Sequence, residues 1–344
     1  MDSRAPLAMA IACATLVLAA GPTRSQTPPA APSPTPSAVD HHDRASQDVF
    51  RVQPLSGGVY ALYGRGGNVA FYVGEDAVTV VDSQFKDLAP GIVEQIRKVT
   101  SKPIKFLINT HHHGDHVGGN EVFRQFAMIL AHDNVRTRML ASPQTIQREY
   151  PARLEEARKA GNAESVKFLS EQIEWAKTVR VEEIATPILT YDSELRIHPA
   201  GGETIQVWHL PPAHTDGDSV VFFEKAKVLH MGDDFFNRTI PFIDVSSGGS
   251  ARGYLAALDK AIGRVPPDAT VIPGHGEVAD LAGLKAFRRY IADLVDLASR
   301  AKASGKSKER FLSEADLPAY RDYSGYADRF KQNAAAAYDE APGR

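Results

Sequence analysis

Cysteine is nearly absent from this 344-residue chain, with Cys13 the single example. It falls inside an apolar run over residues 5–20 that follows Arg4, which has the length and flank of a secretory signal peptide. The run is too short to read as a membrane span. Cys13 stands mid-run rather than at its end, against a lipoprotein anchor. The isolated Arg4 argues against twin-arginine export. Cleavage is expected between residues 20 and 26, although no clean Ala-x-Ala site marks it. Its removal leaves a mature chain without thiols. That suits an oxidising compartment, the periplasm or the exterior, and excludes disulfides, thiolate metal ligands and a cysteine nucleophile. A strong charge of either sign is also missing. The balance of 39 Lys and Arg against 42 Asp and Glu, net −3, offers no basic footprint for nucleic acid or a membrane surface. There is no internal repeat, and no Gly-x-Ser-x-Gly turn to carry a serine nucleophile.

Residues 22–39 are dominated by Pro, Ser, Thr and Ala and read as a disordered spacer. The expected organisation is a signal peptide over 1–25, a Pro-rich linker over 26–47 and one domain over 48–344. Short strand-like runs at 49–52, 59–62, 69–73, 78–81 and 104–108 are punctuated by glycines. A helix over 88–99 places Ile92, Ile96 and Val99 on one face. Strand signals at 126–131, 195–198, 205–209, 219–223, 227–231 and 270–272 alternate with helical stretches at 252–262 and 281–303. The charged, glycine-poor region over about 135–180 predicts a helical insertion. It reads either as solvated helices or as a lid over a site. Aromatics at Phe311, Tyr320, Tyr323 and Tyr326 predict that the C-terminal segment docks.

The most informative run is Thr-His-His-His-Gly-Asp-His at 110–116, just beyond the apolar stretch 104–108. Burying imidazole and carboxylate is costly unless they are paired or metal-bound, and both are ligands that zinc accepts when thiolate is absent. His111 and His113 alternate by two, so an extended segment points them the same way. Asp115 and His116 lie past Gly114, where the chain can turn. His112 is expected to point away. Three later positions repeat the pattern of a polar side chain just beyond an apolar run: His214, Asp233 and His275. Asp234 competes with Asp233. His132, His209 and His230 lie near these motifs and read as core or supporting residues, while His41 and His42 fall in the spacer.

Taken in order, HHHGDH, AHTDGDS, HMGDD and PGHGE resemble the metallo-β-lactamase superfamily of metallohydrolases. The resemblance implies an α/β fold, a four-layer αββα sandwich with its site along the sheet edges and the helical insertion added. It implies two Zn2+ per chain, with His111, His113 and His214 on one ion and Asp115, His116 and His275 on the other. Asp233 would bridge them, because the family's Gly-Asp order favours it over Asp234. Asp82 matches an early acidic position that is usually structural. The implied chemistry is hydrolysis by zinc-bound hydroxide, since zinc lowers the pKa of water from roughly 15.7 to about 7, with Asp115 orienting the nucleophile and passing a proton. The implied substrate is a small molecule with an amide or ester bond, β-lactam leading. No nucleic acid and no membrane contact beyond export is expected, and nothing specifies an oligomer. Three departures weigh on the β-lactam assignment. The Cys ligand of one β-lactamase class is absent, Phe236 stands where that class places a carboxylate-binding Lys, and a bridging Asp is usual in lactonase, thioesterase and phosphodiesterase relatives. An iron-dependent persulfide dioxygenase is a further alternative. Phe235, Phe236 and residues 240–243 read equally as an apolar wall or as buried packing.

Overall fold

A computed structural model describes residues 49–343, so the expected signal peptide, the whole of the expected linker and His41 and His42 lie outside the described residues. The valine-rich runs fold into two mixed sheets. The first runs β1 (Arg51–Pro54), β2 (Val59–Tyr63), β3 (Val69–Val73), β4 (Val78–Val81), β5 (Ile104–Ile108), β6 (Met128–His132) and β7 (Leu189–Tyr191), neighbours in that order. The first three pairings are antiparallel, and β4 to β7 are parallel. The second sheet comprises β8 (Glu194–Ile197), β9 (Ile205–His209), β10 (Ser219–Phe223), β11 (Val228–His230), β12 (Thr270–Ile272) and β13 (Ala279–Asp280). All its pairings are antiparallel except β11 with β12.

Strands buried on both faces need apolar side chains on both, and the packing follows that rule. Ala61, Ala70, Val81, Ile108 and Leu130 of the first sheet meet Ile205, Val207, Val221, Val228 and Ile272 of the second. On the outer face of the first sheet, Ile92, Val93 and Ile96 of α1 (Ala89–Val99) pack on Leu62, Phe71, Val80 and Leu107. On the outer face of the second, α6 (Ala251–Arg264), α7 (Leu281–Ala303) and α9 (Tyr326–Glu340) supply Tyr254, Leu258, Phe287, Ile291, Leu294 and Phe330. Each such fully buried side chain contributes about 1.5–3 kcal/mol. The result is the expected αββα sandwich. Val99, grouped with Ile92 and Ile96 by spacing, is the last residue of α1 and is 37% exposed, beyond the reach of the sheet.

Beyond the short helices α2 (Gly114–Val117) and α3 (Asn120–Phe123), the charged insertion forms two helices, α4 (Asp133–Lys159) and α5 (Ala163–Thr178), that pack on each other, and α8 (Lys308–Glu314) precedes α9. Gly161, at a φ of +66°, takes the turn between them. Phe311 and Tyr320 are buried against the body, so the C-terminal segment docks as its aromatics predict. No helix among the described residues is long and apolar enough to cross a membrane. Two edge strands, β7 and β13, escape the sequence pattern because they are short and bury no side chain, and so carry no apolar run.

Candidate metal centre

Parallel neighbours end on the same side of a sheet, and loops leaving those ends converge there. The loop after β5, the β9–β10 loop, and the loops after β11 and β12 all leave one edge of the sandwich. Backbone bonds across the sheets fix the meeting point: Ser219 N–H donates to Thr110 O at 2.9 Å, and Asn68 N–H to Gly274 O at 2.7 Å. His111, His113, Asp115, His116, His214, Asp233 and His275 are brought together there.

The outer nitrogens of four imidazoles decide what their inner nitrogens can do. His116 Nδ1 donates to Asp82 Oδ2 at 2.8 Å. Thr110 Oγ1 gives its proton to the same carboxylate at 2.7 Å and so accepts from His111 Nδ1 at 3.1 Å. His214 Nδ1 donates to Phe242 O at 2.6 Å, and His113 Nε2 to Asp244 Oδ2 at 3.0 Å. With those protons placed outward, His111 Nε2, His113 Nδ1, His116 Nε2 and His214 Nε2 turn bare lone pairs inward. Two of them, His113 Nδ1 and His214 Nε2, face each other at 2.8 Å. His111 Nε2, His116 Nε2 and Asp233 Oδ1 are buried without any hydrogen-bond partner. Converging unpartnered lone pairs and carboxylates repel unless a cation sits between them. The donor set therefore fits metal ions.

Asp233 divides its oxygens between two groups. Oδ1 lies 3.1 Å from His116 Nε2 and 3.4 Å from His275 Nε2, whereas Oδ2 lies 3.5 Å from His214 Nε2 and 3.9 Å from His111 Nε2. Asp115 Oδ2 joins the first group, 3.3 Å from His275 Nε2 and 3.6 Å from His116 Nε2. Asp234 does not enter the centre. It is buried, and burial together with the neighbouring Asp218 carboxyl pushes its pKa well above the carboxylate range.

Electrostatics separate the members further. Burial pushes the His214 pKa down to about 4 and that of His111 well below its usual value. Burial also opposes charge on His116 and His275, but the Asp233 and Asp115 carboxylates outweigh it, lifting His116 well above its ordinary value and His275 to about 9. Those same imidazoles hold the Asp115 and Asp233 carboxyls below the usual range against burial.

Backbone fit completes the cradle. Asp82 occupies the left-handed region at a φ of +62°, costly for a side-chain-bearing residue. A Cβ at Gly67 would come within 2.1 Å of the His116 ring, so only glycine lets that hairpin close over the imidazole.

With this geometry in place, a family model described as the metallo-β-lactamase superfamily matches residues 62–137 and 148–275, more than half the chain. The chain belongs to the metallo-β-lactamase superfamily. Solved structures share the fold. They include a metallo-β-lactamase from Pontibacter korlensis, at 16% identity and a TM-score of 0.52, covering 71% of this chain and 99% of that one. VMB-1 at 17% identity and a TM-score of 0.51, and the metallo-β-lactamase DIM-1 at 16% and 0.50, each cover 71% of this chain and 97% of theirs. The superfamily match breaks at residues 138–147, within α4.

His112, expected to point away from its neighbours, instead has its ring 4.6 Å from that of His113 and is grouped with His113 and Asp244. His112 sits beside the centre with its Nε2 3.3 Å from Ser247 Oγ. His230 donates to Asn68 O, and His132 and His209 stack on each other with centroids 3.7 Å apart. Phe235 and Phe236 are buried packing, and Phe236 stacks on His275 at 5.2 Å. Phe242 instead borders the centre, 6.0 Å from both His113 and His214. Sequence reasoning missed Asp244 and the Phe242 carbonyl. Asp244 does follow the apolar run 240–243, the same signal that marks His214 and His275.

Proposed function

We propose that this superfamily member is an exported dinuclear zinc hydrolase that opens an amide or ester bond of a small molecule, with a β-lactam as the leading substrate. The observation that carries the reading is the division of the Asp233 oxygens between two groups of inward-facing donors. His111, His113 and His214 would hold one ion, Asp115, His116 and His275 the other, with Asp233 shared. When bound, the pair supplies Lewis-acid polarisation and an acidified water. Asp115, whose side chain is 26% exposed beside His275, faces the open side of the centre. Its carboxylate orients the attacking water and passes the proton to the leaving nitrogen or oxygen. Asp82, Asp244 and the Phe242 carbonyl keep their imidazoles in the tautomer that leaves the inner nitrogen free.

A lactonase or thioesterase is the second reading. It is favoured by Phe236, which fills the place of a carboxylate-binding Lys and is buried against His275. The deciding experiment measures metal content by mass spectrometry and then assays the zinc-loaded mature protein on chromogenic β-lactams, acyl-homoserine lactones, thioesters and phosphodiesters. Two zinc ions per chain, turnover of a carbonyl substrate and loss of activity to a chelator are expected. Turnover of phosphodiesters alone, or one iron with oxygen uptake, overturns the reading. Recovery from a periplasmic or culture-medium fraction tests export.

A further inference from the structure

Four of the five imidazoles of the centre are held through their outer nitrogens, by Asp82, Thr110, Asp244 and the Phe242 carbonyl. His275 is not: among the described residues no group is hydrogen-bonded to its Nδ1, and its ring lies nearly parallel to that of Phe236. It also stands on a turn whose next two residues, Gly276 and Glu277, are exposed. Carbonyls of such a loop can turn to water. Here the five consecutive carbonyls from Pro273 to Glu277 all accept from the protein, and all from two asparagines. Asn68 Nδ2 donates to Pro273 O at 2.9 Å and to Gly276 O at 2.8 Å, and Asn68 N–H to Gly274 O at 2.7 Å. Asn237 N–H donates to His275 O at 3.0 Å and its Nδ2 to Glu277 O at 2.8 Å. A flipped Asn68 amide would set its oxygen against two carbonyls, so the contacts dictate its orientation.

Asn68 is buried and is anchored in its turn. Its carbonyl accepts from His230 Nε2 at 2.9 Å, and His230 Nδ1 accepts at 3.2 Å from the N–H of Gly232, the residue before Asp233. Gly274 N–H returns to Gly232 O at 2.7 Å. These bonds close a ring through Gly232, His230, Asn68 and Gly274, which joins the Asp233 turn to the His275 turn. Two glycines make the close approach possible. A Cβ at Gly274 would fall 2.1 Å from Asp233 Oδ1, and one at Gly276, whose φ is +98°, would fall 2.5 Å from Asn237 O. The 3.4 Å between Asp233 Oδ1 and His275 Nε2 is thus set by main-chain bonds, with no acceptor behind the ring.

We propose that Asn68 and Asn237 are the positioning residues of His275, gripping the main chain of its turn in place of the outer-nitrogen partner that the other four imidazoles have. The inference rests on the metal-centre reading, and its test separates the two. Cobalt is titrated into metal-free wild type, Asn68→Ala, Asn237→Ala and Ile96→Ala, with binding followed by visible absorption. Ile96→Ala is the control for stability alone: it opens a cavity in the α1 layer, whose packing cluster contains no residue of either turn. The first ion should bind all four proteins alike. Asn68→Ala should weaken the second about 10- to 100-fold, as expected for loss of a supporting contact. Asn237→Ala, which loses a single side-chain bond, should weaken it roughly 3- to 5-fold, and Ile96→Ala should leave it unchanged. Excess zinc should restore the turnover of Asn68→Ala, as for a misplaced ligand rather than a broken fold. A second ion held by Asn68→Ala as tightly as by wild type, or lost equally from Ile96→Ala, overturns the inference. Should Asn68→Ala fail to fold, Asn237→Ala decides alone, and unchanged affinity there overturns it as well. A wild type that binds no metal defeats the metal-centre reading and this one with it, whereas a two-metal wild type with indifferent asparagine variants defeats this one only.

Discussion

The two halves of the centre are built differently. His111, His113 and His214 form an all-imidazole group whose outer nitrogens rest on the neighbouring Thr110 hydroxyl and on the Asp244 carboxylate and Phe242 carbonyl of a single segment. Asp115, His116 and His275 mix one carboxylate with two imidazoles, and only His116 is backed by an acid, Asp82. The first group is mostly buried, whereas Asp115 and His275 open to solvent. A neutral donor set held rigidly and an anionic set partly open to water suit different tasks. In the proposed reaction the first would fix an ion and the substrate oxygen, and the second would accommodate exchanging water and a departing group.

The largest effect should come from abolishing what the two halves share. Asp233→Ala is expected to cost about 3–5 kcal/mol of cation binding and to remove both metals, read by mass spectrometry. Next come the supporting carboxylates. Asp244→Ala should weaken only the all-imidazole site and Asp82→Ala chiefly the other, each by roughly 10- to 100-fold. Stepwise cobalt titration followed by absorption separates them, and equal loss at both sites would erase the distinction drawn above. Gly67→Ala forces a methyl into the His116 ring. It should cost about 1–3 kcal/mol of stability and blunt the mixed site alone, checked by denaturation and metal stoichiometry.

The smallest effect on metal binding is expected from Asp234→Asn, which should keep both ions. Its signature is pH-dependent stability. Burial raises the Asp218 pKa to about 6 and holds Asp234 well above the carboxylate range. The folded chain therefore keeps protons that the unfolded chain releases near pH 4, and stability falls as pH rises from about 4 through 6. The amide variant should flatten that fall in urea midpoints compared between pH 5 and pH 8.

The layered fold and the seven converging residues were legible because each element carries its own local signal. Ile104–Ile108 is an unbroken apolar strand, and the polar cluster begins as it ends. Asp233 and Asp234 are parted in the sequence only by the family's Gly-Asp order, since adjacent residues of one turn otherwise differ only in what lies across from them: His116 in one case, Asp218 in the other. Asp244 reaches its partner across 131 residues, a pairing that no local pattern encodes. Phe236 and Phe242 looked alike in the sequence and both lie beside the imidazoles; they part company in depth, Phe236 fully buried under His275 and Phe242 partly exposed beside His113 and His214.

The hairpin of α4 and α5 leaves β6 and returns to β7, the outermost strand of its sheet, so it interrupts no interior pairing of the sandwich. Its helices chiefly embrace each other. Such a graft can be lengthened, trimmed or exchanged between homologues with the catalytic framework left standing, which gives a natural route by which one hydrolytic engine acquires new clients.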